Sequence, residues 1–192
     1  MAEPREPPLM AWGAAAQSRR LRAQLRRRRI LGWVGVAGCA LAVAPVLCAP
    51  RPRLVWNASA SAPIGLYRVE PPTHLARGDM VIARAPVDVR ALAAARHYLP
   101  ANVPLVKRIA GLPGDRVCAI GGVVTINAQT VAHRRARDRA RRPLPWWTGC
   151  RRLAPDMVFL LMARVPDSFD GRYFGPTPKV DVIGKARLLW AR

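Results

Sequence analysis

Twenty consecutive residues without a charge, 30–49 (ILGWVGVAGCALAVAPVLCA), follow directly on an arginine-rich run over 19–29. Nothing else in the sequence constrains the fold as strongly. As a helix, such a run is about 30 Å long, the thickness of a hydrocarbon core. Arginines crowd its near side, and only Arg51 and Arg53 follow closely, which orients the N-terminus toward the cytoplasm. A cleavable signal peptide is the competing reading. The run is longer than a signal h-region and its basic flank is heavy, so a retained transmembrane helix over 30–49 is expected. Pro45 lies near its far end, where a kink costs least. Residues 1–29 are then a basic cytoplasmic segment, with 1–18 expected to be disordered, and 50–192 form one extracytoplasmic domain.

Within that domain the pattern is of short apolar runs broken by turn formers. Residues 68–86 read as short strands punctuated by Pro71-Pro72 and Arg77-Gly78-Asp79. Asp88 is a candidate N-cap for a helix over 89–98. Strand candidates follow at 103–109, at 157–162 and as a pair over 180–190. Residues 116–120 and 123–126 read as a hairpin about Gly121-Gly122. Residues 133–142 are basic and polar without apolar period, and 167–176 are rich in turn formers. Many short strands at close spacing predict a mainly β, antiparallel domain.

The chain carries 32 Lys and Arg against 11 Asp and Glu, a net charge of +21. That balance first suggests nucleic acid or an anionic membrane surface. Only three of the basic residues are lysines: Lys107, Lys179 and Lys185. Lysine can lose its proton when buried and arginine effectively cannot. Lys107 is flagged on that ground, because it sits inside an apolar strand candidate. His74, His97 and His133 stand in no recognisable catalytic context, and no Cys/His spacing suggests a metal site or a cofactor.

The stretch Asn57-Ala58-Ser59-Ala60-Ser61-Ala62-Pro63-Ile64-Gly65-Leu66-Tyr67 puts two hydroxyls two residues apart, before a proline and a glycine that fix the backbone. Extended chain would place Ser59 and Ser61 on one side. Taken alone, the stretch reads equally well as a polar turn between anchor and strand. A serine attacks a carbonyl only if a base takes its proton, and a desolvated lysine can be that base.

Three segments together carry a family resemblance. Val106-Lys107-Arg108-Ile109-Ala110-Gly111-Leu112-Pro113-Gly114-Asp115 resembles the lysine box of type I signal peptidases of the S26 family. Ser61 with Ala62-Pro63 resembles their nucleophile box, and Asp167-Ser168-Phe169-Asp170-Gly171-Arg172-Tyr173-Phe174-Gly175 their C-terminal box. The form Asn-x-Ser-x-Ser-x-Pro-x-Gly-Leu-Tyr is closer to the TraF-type conjugative-transfer peptidases, which mature pilins. The departures agree: Met is missing after the serine, and Ala163-Arg164-Val165-Pro166 replaces the usual Gly-Asp-Asn lead-in.

The resemblance implies a signal-peptidase-like antiparallel β-sheet catalytic domain behind the single transmembrane helix. It implies Ser61 as nucleophile and Lys107 as general base. The Ser61 N–H and the Ser59 hydroxyl would form the oxyanion hole. Ser168 would hold the lysine, and Asp170 with Arg172 would support the site as a charge pair. The expected partner is a pilin precursor or another signal-peptide-bearing substrate of a conjugative type IV secretion system. The expected location is the inner membrane, single-pass, with the catalytic domain in the periplasm. A general signal peptidase and a non-enzymatic basic component of a conjugation channel are the alternatives.

Cys39 and Cys48 fall in the apolar run. Cys118 and Cys150 flank the basic loop in the outer domain, where a pair of thiols is oxidised, so a Cys118–Cys150 disulfide is expected. The N-terminal arginines would face anionic inner-membrane lipids. The basic insertion loop, 133–152, would meet headgroups or the secretion apparatus, with Trp146-Trp147 as an interfacial anchor or a packing element. Nucleic acid is not an expected partner, since the body lies across the membrane.

Overall fold

A computed structural model describes residues 8–47 and 52–192, with side chains of the first stretch described at 17 and 19–44. The chain divides into two compact units, Met1–Pro50 and Arg51–Arg192.

The first unit holds one helix, α1 (Pro8–Leu47). It begins well before the arginine run, so residues 8–18 are helical where disorder is expected from their composition. Alanines from 14 to 16 and the Leu, Gln and Arg that follow, none of them branched at Cβ, are strong helix formers, which accounts for the difference. The charge-free part of α1 for which side chains are described is 30–44. Leu31, Trp33, Val34, Val36 and Leu41 each expose more than half their surface there. No helix among the described residues is long and apolar enough to cross a membrane. The end of the expected span, including Cys48, lies outside the described residues.

The second unit is built on two antiparallel sheets. In chain order its elements are β1 (Leu54–Asn57), β2 (Gly65–Glu70), β3 (Met80–Ala83), α2 (Val87–Ala95), β4 (Leu105–Gly111), β5 (Arg116–Ile120), β6 (Val123–Ile126), β7 (Gln129–His133), β8 (Gly149–Arg152), β9 (Met157–Leu160), α3 (Gly171–Phe174), β10 (Thr177–Pro178) and β11 (Val182–Ala191). The seven-stranded sheet runs β1-β2-β11-β3-β4-β9-β10, and the four-stranded sheet runs β7-β6-β5-β8.

Three apolar clusters hold these sheets. Tyr67, Ile82 and Val106 pack with Ala62. Val81, Ile109, Val158 and Leu160 form a second cluster. Val117, Val124, Phe159 and Leu161 form a third, from strands of both sheets. The last cluster joins the smaller sheet to the larger one.

Several boundaries differ from expectation for local reasons. The hairpin about Gly121-Gly122 pairs Ile120 with Val123, as its sequence predicts. A second hairpin follows at once, pairing Ile126 with Gln129 through Asn127 and Ala128, at φ 49° and 67°. Two left-handed residues are what a two-residue hairpin turn needs. Alanine at the second of them hides the signal. Asp88 does not cap α2: Pro86 occupies that position and no side chain caps the helix. Proline with its fixed φ leads into the first turn, and Asp88 lies within it. The closing segment is one long strand with a bulge between Leu188 and Trp190, not a strand pair.

Candidate active site

Strand β4 has Arg108 outside and Lys107 inside, by the alternation of a strand. Lys107 pairs in register with Val81 of β3. Its side chain is 2% exposed. Burial, opposed in part by Asp170 and aided by the charge of Arg172, lowers its pKa from 10.5 to about 8. The Nζ atom has two hydroxyl neighbours, Ser61 Oγ at 2.7 Å and Ser168 Oγ at 2.9 Å.

Ser61 is held in the middle of the loop between β1 and β2, and Asn57 organises that loop. Its Nδ2 donates to the carbonyls of Ser59 (2.9 Å), Ala62 (3.1 Å) and Pro63 (3.0 Å), and its Oδ1 accepts from Ser59 N at 3.1 Å. Those bonds account for Asn57 being buried at a strand end, where an unpaired amide would be costly. Tyr67, buried in β2, donates its hydroxyl to the Pro63 carbonyl at 2.8 Å and pins the other side of the loop. The sequence motif contains both residues, but their structural duty is visible only once the loop closes on itself. Ser59 Oγ lies 3.0 Å from Ser61 Oγ and accepts weakly from Ser61 N at 3.4 Å. The two expected oxyanion donors are therefore adjacent, and in this state they engage each other.

The segment after β9 supplies the rest. Two successive turns, Val165 N to Met162 O and Ser168 N to Val165 O, bring Ser168 over Lys107. Asp170 then caps the short α3 by accepting from Arg172 N at 3.2 Å. The same pair is bidentate: Arg172 Nε reaches Asp170 Oδ1 at 2.8 Å and Nη2 reaches Oδ2 at 3.1 Å. Neither residue is more than 1% exposed. Arg172 further donates to the carbonyls of Met162 (2.8 Å) and Pro166 (3.1 Å), and Asp170 accepts from Met162 N at 3.0 Å. A buried ion pair is tolerable when its remaining valences are filled in this way. Gly171, between the two, is packed so closely on β9 that a Cβ would stand 2.6 Å from the Leu160 carbonyl. Only glycine lets α3 lie that near the strand.

All the predicted site residues except the cysteine pair thus meet in one place. They line or support a single open cavity of about 550 Å³. Cys118 and Cys150 lie elsewhere, joined by a disulfide across β5 and β8, where they are directly paired.

The basic loop is tied to the body of the domain at several points. Its last four residues are strand β8. Arg134 is buried, donates to the carbonyls of Trp147 and Gly121, and lies over the Trp146 ring at 3.6 Å. Trp147 packs on the core edge to face with Phe159 and donates to the Gly171 carbonyl at 3.0 Å, so packing is its role here. Arg135 N donates to Tyr173 Oη at 3.2 Å, which fastens the loop to α3. Arg135, Arg137, Arg139 and Arg142 reach the same cavity as Ser61 and Lys107.

Residues 26–191 match the family described as signal peptidase, peptidase S26. The chain belongs to the S26 signal-peptidase family. A conjugal transfer protein TraF of Agrobacterium fabrum is 30% identical to the S26 chain over 178 residues, covering 86% of this chain and 98% of the relative. A plasmid transfer protein TraF of Escherichia coli is 30% identical over 181 residues, covering 86% and 99%. Signal peptidase I of Leptolyngbya laminosa is 28% identical over 121 residues, covering 62% of this chain and 53% of its own. Among solved structures, a signal peptidase I of Enterococcus faecalis matches at 20% identity with a TM-score of 0.35, covering 59% of this chain and 97% of that one.

Proposed function

We propose that this S26 protein is a serine endopeptidase in which Ser61 and Lys107 form the catalytic dyad, and that it trims pilin or similar exported precursors for a conjugative transfer system. The observation that carries the reading is a buried amine with its pKa lowered to about 8, 2.7 Å from a serine hydroxyl. A neutral amine accepts the Ser61 proton as Oγ attacks the scissile carbonyl carbon, forming the tetrahedral intermediate. The proton then passes from Lys107 to the departing amine, leaving an ester on Ser61. Water attacks that ester, with Lys107 again the base, and releases the acid; a substrate amine in place of water gives a cyclic product. The Ser61 N–H and a rotated Ser59 hydroxyl receive the developing oxyanion, each such donor contributing roughly 3 kcal/mol. Ser168 orients the amine, and Asp170 with Arg172 holds the segment that presents Ser168.

The conjugative assignment rests on near-full-length similarity to transfer proteins. The weaker similarity to a signal peptidase I favours the second reading, removal of signal peptides from a broad set of exported proteins. In either case the apolar part of α1 serves as the inner-membrane anchor, and the β body works on the periplasmic side. The full-length protein is incubated with a purified pilin precursor and with a general secretory precursor. Cleavage of the first, lost in Ser61→Ala and in Lys107→Arg, supports the proposal. Cleavage of the second alone supports the broad peptidase. Salt-sensitive DNA binding without cleavage of either would instead mark a channel component.

A further inference from the structure

The cavity that holds Ser61 and Lys107 has a strongly basic outer wall. Arg96 from the end of α2 and Arg135, Arg137, Arg139 and Arg142 from the loop reach it, against two carboxylates, Asp138 and Asp167. Those carboxylates are already engaged. Asp167 takes both Arg135 and Arg139, and the Arg139 hydrogen bond with the charges of Arg135 and Arg172 holds it below the usual carboxylate range. Asp138 takes Arg142 at 2.7 Å and the Tyr98 hydroxyl. Arg96 and Arg137 have only neutral partners: Arg96 donates to the Pro143 carbonyl, and Arg137 to the Arg141 carbonyl at 2.7 Å. Neither makes a salt bridge among the described residues. The wall therefore keeps an excess of positive charge pointed at the space a substrate must enter. It is also anchored, through Tyr173 and the buried Arg134, so the excess is presented by a fixed surface.

Resting on the peptidase reading, we propose that Arg96 and Arg137 are specificity determinants that select a carboxylate on the substrate within a few residues of the scissile bond. Guanidinium groups bind carboxylates through paired, charge-assisted hydrogen bonds, which lysine does not match. The carboxylate has two sources, an acidic side chain or a free C-terminus, and both present the same group to the wall.

The test uses full-length protein carrying Ser61→Ala, so that binding is read without turnover. Fluorescein-labelled alanine-rich octapeptides carry one Glu at each position in turn, with Gln counterparts, each as the C-terminal amide and as the free acid. The expected result is that one position of Glu, or the free acid, binds about tenfold more tightly than its neutral counterpart at low salt, with the preference fading as salt rises. Glu in the amide series identifies the side chain, and the free acid in the Gln series identifies the terminus. Arg96→Gln and Arg137→Gln each reduce the preference, and Arg137→Glu turns it toward a Lys peptide. Binding indifferent to charge, no binding, or a preference unchanged in all three arginine variants overturns the proposal. Cleavage of a preferred peptide by protein with Ser61 intact is scored separately: a preference without cleavage leaves the wall assignment standing and counts against the peptidase reading.

Discussion

Two sets of charged residues lie at or behind the wall of one cavity, and they are held in opposite ways. Asp170, Arg172 and Lys107 are no more than 2% exposed, with each polar atom of the ion pair matched to a backbone or side-chain partner. The loop arginines are mostly exposed and share two carboxylates among them. The first arrangement fixes geometry and depresses a pKa. The second leaves charge unspent and available to a ligand. The difference teaches that ion pairs in this protein are structural only where water is excluded.

That contrast can be broken from either side. The largest effect belongs to the buried pair: Asp170→Asn or Arg172→Met should destabilise the protein by about 3–5 kcal/mol, because the abandoned charge stays buried. Denaturant unfolding of the full chain measures it, and a change under 1 kcal/mol would show that the pair is dispensable. Next is the disulfide, which closes a loop between residues 32 apart in sequence and should contribute about 3–4 kcal/mol on chain-entropy grounds. Cys118→Ala with Cys150→Ala should lower the unfolding midpoint while leaving peptide cleavage nearly unchanged, since the bridge lies away from Ser61. A fall in turnover as large as the fall in stability would tie the two regions together.

A smaller effect should follow pH. Below about 8 the Lys107 amine holds its proton, so about a tenth of the molecules carry the free base at pH 7. Cleavage measured as kcat/KM should climb as pH rises through about 8 and then level. Stability should rise too between about 8 and 10.5, because there the unfolded chain binds a proton that the folded one has released. A flat rate profile from pH 6 to 9 would argue against a titrating base. Smallest of all, Asp167→Asn should leave the unfolding midpoint unmoved, since its partners are exposed, while tightening the binding of acidic peptides by freeing Arg135 and Arg139.

The same divide governs what the sequence reveals. Ser61, Lys107, Ser168, Asp170 and Arg172 are readable because each lies in one of the short segments that carry the family resemblance. The hairpin at Gly121-Gly122 is readable because glycine announces its turn. The next hairpin is not, because Asn127-Ala128 adopts left-handed φ without a glycine. Asn57 stands in the motif, yet its work is to satisfy three carbonyls that exist as neighbours only in the folded loop. The loop arginines look like a solvated, membrane-facing patch in sequence. Their carboxylate partner Asp167 lies 28 residues beyond Arg139, a separation that local patterning cannot bridge.

The central claim is that the amine at position 107 is free to accept a proton from Ser61 near neutral pH. The direct measurement is an NMR titration of the Lys107 Nζ in full-length protein labelled with nitrogen-15 lysine, assigned by comparison with Lys107→Arg. The expected midpoint is about 8. A midpoint near 10.5, the value of an ordinary lysine, would contradict it.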